Sequence, residues 1–396
     1  MPNSIQKHGN ICLSVELRTL LKSIHPSEKN TSTAEKFLKG QLELYPMAEG
    51  DIYLIRDLDL RTGQEIDYLK IGRTKPNESD DRIAKHQTGN PRLITKKWDG
   101  VVPNDAAIEG HLHHYFSTDR VRGEWFWIDD DKLKNDVIPL VEKLIKEYKA
   151  HNANLETQKN LKAQDDDGVE RAPTKKEQAH ADALQQSMND LEVAKKRHDV
   201  HNLNLRSMLG TRAGVEGIIH LIPNPGRASF DKKGFLATLS PAQLALCHHA
   251  SKTSRKATAA WEIKAESIDV LDPTLHAQHQ AAKAAAPSSF PAGQLNGLTV
   301  QRDSSVKAEH MLWMETRRDV KTNEWKVEQL KAEILVGLGT NKALDGIVSW
   351  PRYDETKTNV FDKKLATEHF EVEMAPFVSF GKDGAKVSIS PGRGYV

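Results

Sequence analysis

Between Asp51 and Trp127 the chain switches repeatedly from short β-prone runs to capped helical stretches. That alternation restricts the segment to a small mixed α+β unit with helices packed on a sheet. Residues 51–58 read as a strand, with apolar Ile52, Leu54 and Ile55. Thr62-Gly63 signals a turn, and residues 68–72 form the return strand of a hairpin. Residues 79–87 follow as a helix, capped by Ser79 or Asp80 and stopped by Gly89-Asn90-Pro91. A third strand spans 93–102, a helix 106–116 and a further helix 137–148.

Composition narrows the function classes. Lys and Arg total 56 against 55 Asp and Glu, so the net charge is +1 and the chain is not a globally basic nucleic-acid binder. A local basic patch remains compatible, because phosphate affinity depends on where the charge sits. The 2 cysteines, Cys12 and Cys247, make neither a zinc cluster nor a disulfide framework by themselves, which fits a reducing cytoplasm. No apolar run reaches the roughly 18–20 residues of a membrane span. The N-terminus lacks a basic stretch followed by an apolar one, so no signal peptide is expected.

A chain of 396 residues exceeds one ordinary core. The pattern divides it into a helical lead-in (1–48), the α+β unit (49–150), a charged helical linker (151–205), a mixed α/β region (206–290), and a C-terminal helix plus β-hairpin module (291–396). The linker has only a thin apolar stripe at Leu184, Met188 and Leu191. An exposed helix and a dimerising coiled coil both fit that stripe. Short strands are expected at 217–223, 234–239 and 257–265. In the last module, 346–350 should pair with 359–361, and 374–380 with 387–389.

Tyr53, Lys70, Arg82, His86 and Glu109 form a set that suits phosphodiester hydrolysis. Such a reaction needs an in-line water, a nearby base and positive charge on the phosphoryl oxygens. Arg82 and His86 are one helical turn apart and share a face; Arg82 presents a planar fork matched to phosphate. His86 could hold the attacking water or position Tyr53. Glu109 and His113 share a helix face in the same way. One carboxylate with several waters is how Mg²⁺ commonly sits beside phosphate, which makes Glu109 the metal candidate. Lys70, a charge inside an apolar strand, could act on the Tyr53 phenol. Gly72 should let the backbone approach substrate or helix. Arg73 is a candidate DNA-backbone contact, and His113 either a group supporting the site from behind or a phosphate contact. Trp125, Phe126 and Trp127 should close the core, leaving Glu124 as a reserve ligand.

Taken in order, these motifs resemble the GIY-YIG nuclease superfamily, in the phage and bacterial branch with Lys for the first Tyr of YIG. Asp51-Ile52-Tyr53 stands for the GIY strand, with Asp in place of Gly, and Lys70-Ile71-Gly72 for YIG. Arg82, His86, Glu109, Leu112-His113, Phe116 and Gly123-Glu124-Trp125-Phe126 complete the likeness, over about residues 50–130. The resemblance implies a DNA endonuclease that depends on Mg²⁺ or Mn²⁺. Tyr53 would be general base or water-orienting group, Arg82 the catalytic cation and Glu109 the metal ligand. Lys70 removes the second tyrosine, so a two-tyrosine mechanism does not carry over. Breaking both strands would take two visits or a homodimer on DNA. A nuclease fold that binds without cutting, and an interaction protein of a phage or mobile element, are the alternatives.

Residues 306–362 resemble the helical and hairpin tail of phage YqaJ-type recombination nucleases, through Ala308-Glu309, the helix through Glu328-Gln329-Leu330-Lys331-Ala332-Glu333, Leu338-Gly339 and Ile347-Val348-Ser349-Trp350. Glu262-Ile263-Lys264 has the Glu-x-Lys form of those enzymes, but no aspartate in a matching strand precedes it, so no second active site is assigned. The C-terminal half is expected to target the nuclease, with Lys252, Arg255, Lys256, Arg317 and Arg318 as phosphate contacts.

Overall fold

The computed structural model describes residues 49–250, 255–354 and 359–392. The expected lead-in helices at 1–48, and Lys252, lie outside the described residues. The first unit contains β1 (Glu49–Asp59), β2 (Gln64–Thr74), α1 (Ser79–Gln87), β3 (Leu93–Pro103), α2 (Asp105–Tyr115), β4 (Arg120–Arg122), β5 (Trp125–Trp127) and α3 (Ile138–Lys162). The strands form one antiparallel sheet in the order β3-β1-β2-β5-β4. The α+β expectation holds, with two added strands after α2.

Strand alternation sorts the side chains onto two faces. Ile52 and Leu54 of β1 and Leu69 and Ile71 of β2 are fully buried, and cluster with Ile108 and Leu112 of α2 and Val141 and Leu144 of α3. Asp51, Tyr53 and Ile55 point the other way, toward α1. Gly63 closes the β1–β2 hairpin at φ 68°, its N–H donating to the Asp59 carbonyl at 2.8 Å. Phe126 is buried as expected, whereas Trp127 stays 44% exposed on the short β5.

The expected exposed linker is not one. The helix expected at 137–148 continues as α3 to Lys162, and α4 (Lys175–Leu209) then runs antiparallel against α5 (Ser304–Leu338). Pairs at both ends set the direction: His201 with Glu309 at 2.8 Å, and Arg171, just before α4, donating to the Gly337 carbonyl at 3.3 Å. Leu184, Met188 and Leu191 pack with Val327, Ile334 and Leu335 of α5. The thin stripe finds an intramolecular partner and needs no dimer. Trp325 ties α5 to the first unit by stacking on Tyr148 of α3 at 4.2 Å and donating its indole N–H to Glu147 at 2.9 Å.

α4 and α5 are two copies of one device. Each is 35 residues long and ends on a glycine of positive φ, Gly210 at 56° and Gly339 at 61°. Each is followed by a tight turn, through Glu216-Gly217-Ile218 and Asp345-Gly346-Ile347, in which the Ile N–H closes on Val215 and Leu344 respectively. The strand before each helix pairs in parallel with the turn after the other: Thr299–Val300 beside Gly214–Val215, and Glu170–Arg171 beside Ala343–Leu344. The two halves thereby exchange strands about an approximate two-fold axis.

Several short strands differ from expectation. Residues 234–239 are not a strand: helix Lys232–Ala237 forms there, with Asp231 capping Gly234 at 2.9 Å and Phe235 buried. Asn359–Phe361 pairs with His248–Ala250, and Val378–Phe380 with Ala228–Phe230. Gly384–Ile389 pairs with Ile219–Asn224. Residues 206–290 and 291–396 therefore share sheets across the expected boundary. Pieces of two or three residues carry too little pattern to name their partners.

Candidate active site

The site begins with β1. Alternation aims Tyr53 at α1, where its hydroxyl and Nε2 of His86 share a hydrogen bond of 3.1 Å. Arg82, one turn earlier on α1, lies close enough for its charge to act on the same phenol. Tyr53 is paired across the hairpin with Gly72, and a Cβ there would lie 2.5 Å from the phenol carbon and oxygen. Gly72 thus makes room for the Tyr53 ring, not for substrate or helix as the sequence suggested.

Burial raises the Tyr53 pKa above its ordinary value, although Arg82 pulls against it, so the phenol keeps its proton at neutral pH. Burial, together with Lys70 and Arg82, lowers His86. The pair therefore offers a neutral imidazole beside an intact phenol.

Glu109 reaches the site from α2. Its Oε2 accepts from Arg73 Nε at 2.9 Å, and Arg73 Nη1 donates to Asp105 at 3.0 Å. Arg73 is thereby engaged with two carboxylates, one turn apart on α2. Burial raises the Glu109 pKa despite Arg73, and Glu124 and Asp105 push it the same way. Tyr53, Arg73, Arg82, Asp105, Glu109 and Glu124 line one cleft of about 630 Å³.

Lys70 sits elsewhere than expected. Lys70 is buried and ion-paired with Glu124; it does not line the cleft itself. Burial would raise Glu124, but the Lys70 hydrogen bond and charge outweigh it and hold that carboxyl low. His113 is bonded through Nε2 to the Ile71 carbonyl at 3.0 Å, packs on Phe126, and is lowered to about 4 by burial. It is thus a neutral strut between α2 and β2, which is the supporting role of the two expected of it. His111 and His114 are likewise pressed by burial to about 4 and about 3, and His111 packs on Trp325. Glu262 and Lys264 are exposed and line neither the cleft nor the cavity described below.

Asp51 explains the departure at the first motif. It is 3% exposed, and its Oδ2 accepts from the Ser79 N–H at 3.3 Å. Glu78, at the N-cap, gives α1 no side-chain cap, so a strand residue supplies the carboxylate at the positive end of the helix. Asp51 thus fixes the helix that carries Arg82 and His86. No local pattern signals that contact, whereas the nearness of Asp105 to Glu109 is readable from their spacing.

The family comparison agrees with this geometry in kind. Residues 51–145 match the T5orf172 domain. That is an endonuclease-type domain, and the matched segment runs from β1 into α3, so it contains every lining residue of the cleft but Glu49. No curated protein matches the chain, and no solved structure does. Among the described residues no helix is long and apolar enough to cross a membrane.

In the matched segment Glu109 is the carboxylate that could serve a hard divalent cation, with waters completing its shell. Glu109 is half-buried at the cleft, close enough to Asp105 and Glu124 for like charge to raise its pKa. A cation held by one or two carboxylates with waters would relieve that repulsion. Among the described residues no group of three or more His, Cys, Asp or Glu side chains is placed to hold a metal ion by itself.

Proposed function

We propose that the protein is a divalent-metal-dependent DNA endonuclease of the GIY-YIG type. The observation that carries the reading is that Tyr53, Arg82 and Glu109, from a strand and two different helices, line the same cleft. Glu109 would hold Mg²⁺ or Mn²⁺, which supplies charge stabilisation at the phosphoryl oxygens. Arg82 presents its fork to the scissile phosphate. The neutral His86 accepts the proton of the attacking water through Tyr53, whose hydroxyl takes the water proton as it passes its own to His86 Nε2, so the phenol is neutral before and after the step. Water attacks in line, with no covalent enzyme intermediate. Lys70 holds Glu124 and lowers His86, so it positions charge and does not touch substrate. Arg73 organises the two carboxylates of α2. One cleft cuts one strand at a time, so two cuts call for a second copy on the DNA or a second visit.

Plasmid relaxation or linearisation in Mg²⁺ tests this. Activity should vanish in Glu109→Ala and Arg82→Ala proteins that remain folded by circular dichroism. Activity retained in both would end the proposal. A second reading is favoured by one feature, the Lys70–Glu124 ion pair, which ties up the motif lysine: the fold would then hold DNA without cutting it. Tight binding with no cleavage of duplex, nicked or branched DNA would select that reading.

A further inference from the structure

A second cavity, of about 600 Å³, lies between α4, α5 and the strand Gly384–Ile389. Arg206, Trp313, Arg317 and Lys386 line it, with Asn202 and Ser288. No carboxylate is among its lining residues. Arg317 stands over the Trp313 ring at 5.3 Å, and among the described residues neither Arg317 nor Arg206 has an acidic partner. Arg206 is held by the Pro287 carbonyl at 2.6 Å, and its Nε is buried without a hydrogen bond. Trp313 is only 6% exposed, and its indole N–H is also buried without a partner. Grouped cations, with two buried donors unpaired on the residues that line the cavity, suit it to an anion.

The internal duplication provides a control. The positions of α4 that match Trp313 and Arg317 of α5 are Leu184 and Met188, and both pack in an apolar cluster. The fold does not require an arginine there. Arg120 links the cavity to the cleft: its charge presses on Arg317 on one side, and Glu124 and Glu109 act on it from the other.

We propose that this cavity is a second nucleic-acid contact, which takes a backbone phosphate of the DNA that is held in the cleft. The proposal rests on the reading of DNA as substrate. It does not rest on cleavage. A phosphodiester suits it because Arg317, Arg206 and Lys386 offer charge and donors without a base-reading pattern. The Trp313 ring is covered by Arg317 and by His310, stacked at 5.9 Å, so a base is not expected to stack on it.

The test is fluorescence anisotropy of a labelled duplex with the full chain over a range of salt. Lys386 is exposed, so Lys386→Glu leaves folding intact and decides the matter; Arg317→Gln, checked by melting, is the second variant. Kd should rise about tenfold or more in each. The slope of log K against log salt should shrink by about 0.9 for each phosphate that is no longer neutralised. Unchanged affinity and slope in folded Lys386→Glu would overturn the proposal. So would loss of inorganic phosphate binding, by calorimetry, with duplex affinity intact, because the cavity would then serve a free anion. If the wild type cuts nothing but Lys386→Glu loses DNA, the cavity stands and the nuclease reading falls. If cleavage and affinity survive both variants, the reverse holds.

Discussion

The cleft and the second cavity both gather cations, but only the cleft sets carboxylates among them. Glu49, Glu78, Asp105, Glu109 and Glu124 face Arg73, Lys75, Arg82 and Lys85 there. The cavity has Arg206, Arg317 and Lys386 and no acid. Carboxylates beside a phosphate cost affinity by repulsion, so they are worth keeping only where they hold a cation or move a proton. A site of cations alone has no such chemistry and can only bind. On the proposed function, the contrast separates a place for reaction from a place for holding.

Four measurements would break or sharpen this contrast. The largest effect should come from the residue that joins α5, which carries part of the cavity, to the unit that holds the cleft. Trp325→Ala removes the stack on Tyr148 and should cost about 3–5 kcal/mol of stability, read by denaturant unfolding. A loss well below that would show that α5 and the first unit are not packed as one body. Next, Glu109→Gln should lower the cleavage rate by about 10²–10³-fold, the size of losing one fixed electrostatic group at a reacting centre. DNA affinity should not weaken. A matching fall in affinity would make the cleft a holding site like the cavity.

Gly72→Ala should follow, at about 10²-fold in rate, because its methyl displaces the Tyr53 ring from His86. The fold should persist, and normal activity would remove the Tyr53–His86 pair from the mechanism. The smallest effect concerns pH. His86 works as a proton acceptor only when neutral, and its lowered pKa keeps it neutral further into acid than a free imidazole. The acidic limb of the cleavage rate should therefore lie below pH 6.5, the ordinary value. Replacing Lys70 by Met should move that limb upward, since the Lys70 charge is part of the depression. Duplex binding through the arginines and lysine of the cavity should be flat across the same range. A limb above 6.5 would exclude His86 as the acceptor.

Much of the first unit could be read without coordinates. β1, β2, α1, β3 and α2 follow from local alternation, the Thr62-Gly63 turn and the stop after Gln87. Helix spacing likewise put Arg82 beside His86. The paired roles were not readable. Arg73 reaching two carboxylates of α2, Lys70 closing on Glu124, and Asp51 capping α1 each join elements far apart in the chain. The duplication is written in the sequence, in the Gly-Thr opening and the Glu/Asp-Gly-Ile turn after each long helix, but it is faint because little besides apolar spacing matches within the helices.

The sequence alone determined β1, β2, α1, β3 and α2 of the first unit and set Arg82 and His86 on one helix face, because periodicity, caps and turn residues work over a few neighbouring positions. The tertiary structure decided what those side chains face. It turned the charged stretch before residue 205 into half of a packed helical pair, gave two-residue strands their partners, and left Arg317 facing a cavity where Met188 packs in an apolar cluster. Such outcomes depend on burial and charge contributed by distant segments, and no local pattern carries that information.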